Sequence, residues 1–393
     1  MTQQTPPQLT DDGRQLALTL GEGHHRLDAL WLRERLPDAE TLDPQTGQRL
    51  IEAAELPLDL SLTQADVQDE RLVVAFSDGH RGSITIDELE DAVRCQRSDD
   101  NASRVYWDST LATPPQASFK QALESDPALL DLLDQLHRFG FVRVTDVPVS
   151  EDGMQPLIDR IGPLRRTNWG GIADVKSVAN AYDLTMTQRG LEPHTDNPYR
   201  DPIPGYIWLH CLTNAADGGD STLVDGFEAA RRLRQQDPDA FACLTEVTPR
   251  FRYHDETTRL ESEGPLIELD ARGEVTRVRY SNRTERIDLM DSALLRRYYA
   301  ARKAFYQLIR SSELTLELKL SPGEMLIMDN YRLLHGRTAF QLEGGVRHLR
   351  QGYVDRDSTA SRRLLLKDRL KPAHDSEAGT ADNLARTTQG ASA

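Results

Sequence analysis

Cysteine is scarce in this chain. Its 393 residues include three, Cys95, Cys211 and Cys243, and none lies in a CxxC pair. Neither a disulfide framework nor a thiolate metal site is therefore indicated, and Cys211, within Trp208-Leu209-His210-Cys211-Leu212, reads as a core thiol. No stretch approaches the roughly 20 apolar residues of a membrane span. The opening MTQQTPPQLTDDGRQ has neither a basic start nor an apolar run, so no secretory signal is expected and the cytoplasm is the default compartment. Positive charge is also short. Lys and Arg number 47 against 63 Asp and Glu, a formal net charge of −16. Phosphate backbones and anionic membranes are held by clustered cations, so neither is expected as a partner. What remains, 38% apolar and 28% charged residues, is the composition of a soluble globular protein.

The chain is long enough for a small domain followed by a large one. Residues 1–110 read as short strands and turns: Gln15-Leu16-Ala17-Leu18-Thr19-Leu20 alternates polar and apolar, and 72–76 is a second strand closed by Ser77-Asp78-Gly79-His80. Thr113-Pro114-Pro115 resembles a linker. Within 115–370, Ser125-Asp126-Pro127 starts a helix that Gly140 ends. Strands follow at 141–144, 205–213, 221–225, 265–269, 275–280, 313–320, 324–328 and 346–354. The strongest helix is 289–310, with Leu294, Leu295, Tyr298, Ala301, Phe305 and Leu308 at core spacing. Many short strands with few helices indicate a mainly β protein with flanking helices, closed as a jelly roll. The tail 371–393 is small and polar and reads as disordered. No internal repeat is visible.

Pro193-His194-Thr195-Asp196-Asn197-Pro198 carries a His-x-Asp pair, and a second histidine, His335, lies in Leu333-Leu334-His335-Gly336-Arg337. Two neutral imidazoles and one carboxylate suit Fe(II) and leave three positions open for an oxidising co-substrate and dioxygen. Residues i and i+2 of a strand share a side, so His194 and Asp196 can grip one ion together. The distance in sequence to His335 suits a site built from opposite strands of one barrel. Arg347, in Gly345-Val346-Arg347-His348-Leu349, can hold a carboxylate through two parallel hydrogen bonds. On a strand paired beside the one carrying His335, it would anchor the far carboxylate of a keto-diacid. The plain alternative is a surface arginine.

These motifs, with Trp31-Leu32-Arg33, Asp43-Pro44-Gln45-Thr46-Gly47, Gly218-Gly219-Asp220-Ser221 and Val224-Asp225-Gly226-Phe227, resemble the 2-oxoglutarate-dependent iron oxygenases of the taurine dioxygenase superfamily. Within it they are most similar to the γ-butyrobetaine and trimethyllysine hydroxylases. The resemblance implies a small N-terminal β-domain and a C-terminal double-stranded β-helix. It implies Fe(II) on His194, Asp196 and His335, and 2-oxoglutarate on Arg347 and Ser221 beside Leu209. Dioxygen is then a co-substrate, ascorbate a reductant, and a homodimer is expected. The substrate would be a small quaternary amine. By position Trp169, Tyr182 and Tyr353 match an aromatic cage for its cation, although each also suits core packing. Asn180 and Asn282 fall near the substrate's anionic end.

Three departures stand out. Leu36, Asp38 and Thr41 occupy places where such proteins carry zinc-binding cysteines, and only His80 is left as a possible fourth ligand, so no zinc is expected. A cage position is Ala173. The segment from Tyr182 to His194 is long and includes Arg189, which reads either as a solvated loop residue or as a contact for a more highly charged anion. A γ-butyrobetaine-like carboxylate and 2-(trimethylamino)ethylphosphonate both stay open as substrates. Two other functions fit parts of the pattern: a zinc-dependent hydrolase using the same three ligands, and a non-catalytic binding module that retains the barrel.

Overall fold

A computed structural model describes residues 6–21, 23–95, 103–176, 187–341 and 345–371. The expectations placed on Asn180, on Tyr182 and on the tail beyond Lys371 lie outside them. The chain divides into two compact units, Met1–Ser103 and Arg104–Ala393. No described helix is long and apolar enough to cross a membrane.

The first unit holds two antiparallel three-stranded sheets. One runs through Gln8–Thr10, Gln15–Leu20 and Gly23–Asp28, the other through Leu62–Gln68, Arg71–Phe76 and Arg81–Thr85. The alternation read at Gln15–Leu20 is realised: Leu16, Leu18 and Leu20 are buried with Leu62, Leu72 and Val74. Leu36 is buried in the same core. Around it Arg33 Nη1 donates to Thr41 Oγ1 at 2.9 Å, and Thr41 Oγ1 to Asp38 Oδ2 at 3.3 Å. The His80 ring places Nε2 3.0 Å from Asp38 Oδ2 and Nδ1 3.4 Å from Glu40 Oε2. An apolar side chain and a His–carboxylate contact thus stand at the positions that zinc-binding cysteines would need.

The second unit is a jelly roll. Its strands are β1 Gln116–Ser118, β2 Phe141–Thr145, β3 Ala173–Lys176, β4 Leu191–His194, β5 Tyr206–Asn214, β6 Ser221–Asp225, β7 Thr315–Leu318, β8 Met325–Asp329, β9 Leu333–Arg337 and β10 Arg347–Val354. The larger sheet has the order β1-β2-β8-β5-β10-β3, the smaller β4-β9-β6-β7. Only the β1–β2 pair is parallel in the larger sheet. The two sheets meet through Ile207, Cys211, Leu326, Met328 and Leu349 on one side and Leu223, Leu318 and Leu333 on the other. Alternate residues of β5 and β8, among them Trp208, Met325 and Ile327, turn outward. They pack on the helices Phe119–Glu124, Asp126–Phe139 and Gln155–Ile161. Period-2 alternation with both faces covered explains why β8 is buried throughout and β5 from Tyr206 to Cys211 apart from half-buried Leu209.

The Ser125 hydroxyl caps the helix Asp126–Phe139 at the Ala128 amide, and Gly140 ends it at φ +79°. The helix read at 289–310 spans Ser292–Ile309. It buries Tyr298, Ala301 and Phe305, while Leu294 and Leu295 are half-buried. Helices are more numerous than the sequence pattern indicates. Gly226–Gln236, Pro238–Glu246 and Arg356–Leu370 are additions to it. The last is dominated by charged residues and buries only Thr359, Arg363 and Leu366, so its apolar period is faint.

Candidate metal and substrate site

His194 ends β4 and His335 lies in the middle of β9. They are direct partners in the antiparallel pairing of these two strands. Partnered residues project from the same face, and the two rings lie 4.5 Å apart between centroids. The histidines thus come from neighbouring strands of one sheet, not from opposite strands of the barrel. Asp196 corrects the reading further. It lies beyond the end of β4, where no ladder continues. The turn is held instead by Asn330, whose Oδ1 accepts from the Asp196 amide at 2.7 Å. Its Nδ2 donates to the Asp196 and Pro204 carbonyls at 2.9 and 3.0 Å. Thr195 bonds the Tyr280 backbone through both its amide and its hydroxyl. Asn197 then adopts φ +52°, a left-handed conformation that asparagine tolerates well.

Asp196 Oδ1 is 3.5 Å from His194 Nε2 and 3.7 Å from His335 Nε2. One donor atom from each of the three residues lies within 4.8 Å of the others. His194 Nδ1 meets the Glu192 carbonyl at 2.9 Å, which directs Nε2 toward its partners. Burial would raise the Asp196 carboxyl, but the charges of His335 and His194 and the hydrogen bond from Tyr353 bring it far below the usual range. Burial, and then the neighbouring His194, lower His335 to about 4. An ionised carboxylate and a neutral imidazole at neutral pH are the protonation states a divalent ion requires. The donor set therefore fits such an ion.

Arg347 is buried, and among the described residues it has no ion-pair partner. It leads β10, which hydrogen-bonds to β5 and β3 in the larger sheet. It is not on a strand beside β9, as expected from sequence, but shares the inward face of β10 with Leu349, Gln351 and Tyr353. Its guanidinium lies 5.5 Å from the Phe340 ring centroid. Gly219, at φ +73°, passes so close that an added Cβ would stand 3.1 Å from Arg347 Cδ and Nε. Desolvation lowers its affinity for a proton. Burying a cation is costly; the field of Asp220 offsets part of that cost here, and an anionic ligand bonded to the guanidinium would relieve more of it. Ser221 is buried on β6 two residues from Leu223, the direct partner of His335, and so shares its face. Leu209 pairs with Gln351 across β5 and β10.

The expected cage residues have other contacts. The Tyr353 hydroxyl donates to Asp196 Oδ2 at 2.9 Å. Trp169 meets Tyr253 edge-on at 5.2 Å, and Arg200 lies over its ring at 5.1 Å. That ring already carries a cation from its own chain. Ala173 pairs with Gln351. Beside His194 opens a cavity of about 710 Å³. It is lined by Tyr280, Tyr299 and Tyr306, by Arg189, Arg283, Arg302 and Lys303, and by one carboxylate, Glu192. Asn282 also lines it, its Oδ1 accepting from Arg302 at 2.8 Å. The sequence pattern points to Arg189 and Asn282 but not to the other cationic groups. Arg302 and Lys303 lie on a helix whose apolar spacing draws attention to its core face.

A family model described as "Taurine catabolism dioxygenase TauD, TfdA family" matches residues 108–353. Another, "Gamma-butyrobetaine hydroxylase-like, N-terminal", matches residues 8–89. A γ-butyrobetaine dioxygenase of Pseudomonas sp. (strain AK-1) is 33% identical over 344 residues, covering 86% of this chain and 90% of that protein. The γ-butyrobetaine dioxygenase of Pongo abelii is 30% identical over 359 residues, covering 87% and 92%. The mitochondrial trimethyllysine dioxygenase of Mus musculus is 29% identical over 351 residues, covering 87% and 83%.

Proposed function

Since this chain belongs to the taurine catabolism dioxygenase TauD, TfdA family, we propose that it is an Fe(II)/2-oxoglutarate-dependent dioxygenase that hydroxylates a C–H bond of a small trimethylammonium substrate. The observation that carries this reading is the convergence of His194 Nε2, Asp196 Oδ1 and His335 Nε2 in one cluster on paired strands. Those three residues would hold the iron. Ferrous iron, when bound, would activate dioxygen, the oxidant of the reaction, one oxygen atom ending in the succinate formed from 2-oxoglutarate with loss of carbon dioxide and the other in the hydroxylated product.

The chain's own residues do the rest. Arg347, buried with no ion-pair partner among the described residues, takes the distal carboxylate of the keto-acid by two parallel hydrogen bonds, and Ser221 adds a hydroxyl on the His335 face. Leu209 closes the inward face beside Gln351 and helps exclude water. The cavity beside His194 holds the substrate. Its tyrosine rings suit the trimethylammonium group, and Arg189 and Lys303 with the Asn282 amide suit the anionic end. Arg302 is already engaged by Glu285 at 3.0 Å. This excess of cationic groups supports an anion of more than one charge, such as a phosphonate, as readily as a carboxylate. Tyr182 joins the aromatic set in the same reading, with Asn180 near the anion, and Trp169 joins it where the substrate's cation takes the place of Arg200 over its ring. The reading also takes ascorbate as reductant, a cytoplasmic homodimer, and no zinc in the first unit.

A turnover panel tests it. Purified protein is given Fe(II), ascorbate and 2-oxoglutarate with γ-butyrobetaine, trimethyllysine or 2-(trimethylamino)ethylphosphonate, and succinate is followed against hydroxylated product. One quaternary amine should couple the two about one to one. Succinate formed without coupling to any quaternary amine sinks the substrate class. No iron-dependent succinate at all sinks the reaction class.

A further inference from the structure

The two oxygens of Asp196 face different surroundings. Both imidazole distances, 3.5 and 3.7 Å, run to Oδ1. Both side-chain hydrogen bonds run to Oδ2: from Gln351 Nε2 at 2.7 Å and from the Tyr353 hydroxyl at 2.9 Å. The direction of each bond follows from the donors available. Tyr199 donates to Asn197 Oδ1 at 2.6 Å, which fixes that amide so that its Nδ2 faces Tyr353 at 3.0 Å. Gln351 Nε2 also reaches the Tyr353 oxygen, at 2.8 Å. Two N–H donors thus fill the lone pairs of the hydroxyl, and its one proton is left for Asp196. Tyr353 is buried, so no bulk water competes for these bonds.

We infer that Tyr353 and Gln351 are positioning residues that hold Oδ2 away from the metal and make Asp196 a one-oxygen donor. A carboxylate free to rotate can bind an ion through both oxygens. That would consume one of the three positions that the keto-acid and dioxygen need. Tyr353, read from the sequence as a cage wall, therefore acts through its hydroxyl as well as its ring. The inference rests on the metal-site reading above, and its test separates the two.

Apo-protein is titrated with Co(II) alone, whose visible absorption reports coordination number and donor set. Wild-type, Tyr353→Phe and Gln351→Met proteins are compared, with thermal midpoints recorded beside them. Phenylalanine keeps the ring and loses only the hydroxyl; methionine keeps the length of glutamine and loses its donor. Outer-sphere partners of metal ligands typically change affinity about 10–100-fold when removed. The inference expects both variants to melt near wild type, to bind Co(II) at least about tenfold more weakly, and to show an altered band intensity. In turnover, Tyr353→Phe should lower kcat and leave KM for the quaternary amine unchanged, since the ring remains. Wild-type Co(II) affinity and spectrum in both variants would overturn the inference while leaving the metal site intact. Failure of the wild-type protein itself to bind Co(II) would instead overturn the metal reading.

Discussion

Arg347 shows how much one side chain can carry. It is buried with no ion-pair partner among the described residues, and Gly219 packs against its guanidinium. Replacement by methionine should raise KM for the keto-acid roughly 10–100-fold, the value of about 1.5–3 kcal/mol for hydrogen bonds to a charged group. Steady-state kinetics with the keto-acid varied would check this, and a KM within about twofold of wild type would remove Arg347 from the site. His210 makes a different prediction. It is fully buried on the outward face of β5, neither ring nitrogen has a hydrogen-bond partner among the described residues, and burial lowers it to about 4. Its unfolded value is near 6.5. The unfolded chain therefore binds the extra proton first, and stability falls as pH drops from about 6.5 toward 4. Urea unfolding at pH 7, 6 and 5 should show a slope that His210→Phe reduces by at most about 1.4 kcal/mol per pH unit. At this scale the sequence is informative about residue types and poor about partners. His194, Asp196, His335 and Arg347 stand out because few other roles need them in that pattern. The hydroxyl contact of Tyr353 is hidden, because Asp196 and Gln351 meet only through the fold.

Between elements the same lesson takes another form. Strands with both faces covered, such as β5 and β8, are rich in large apolar side chains and are readily found. β4 carries no strand pattern of its own, because its four residues include Glu192 and Pro193, and only the metal argument puts His194 on a strand; it owes its place to pairing with β9. The site residues are therefore easier to pick out than the elements that support them. Asp196 is held by a side chain, Asn330, in place of a ladder, and pattern reading has no signal for such a substitute. Asn330→Ala removes three hydrogen bonds, to the Asp196 amide, the Asp196 carbonyl and the Pro204 carbonyl. Leaving such buried groups unpaired should cost about 3 kcal/mol. It should also weaken Co(II) binding, since the turn presenting the carboxylate loosens. Unfolding and metal titrations on one preparation would show both effects, and an unchanged unfolding free energy would contradict the assignment.

Across the whole molecule, the two units differ in what a metal means to them. The second unit contains a donor set that fits an ion. In the first, Leu36 packs in the core and His80 meets Asp38 and Glu40. Treatment with a chelator should therefore abolish turnover, Fe(II) alone should restore it, and hydrogen exchange in Arg71–Phe76 should stay unchanged throughout. Faster exchange there in the chelated protein would reveal an ion in the first unit. The pairing of His194 with His335 has one more implication. A slip of a single residue between β4 and β9 would turn one imidazole toward the far side of the sheet. Iron capture is thus a proofreading signal: a chain that has zipped these strands out of step cannot load, and metal supplied during refolding should be taken up only after the correct register has formed.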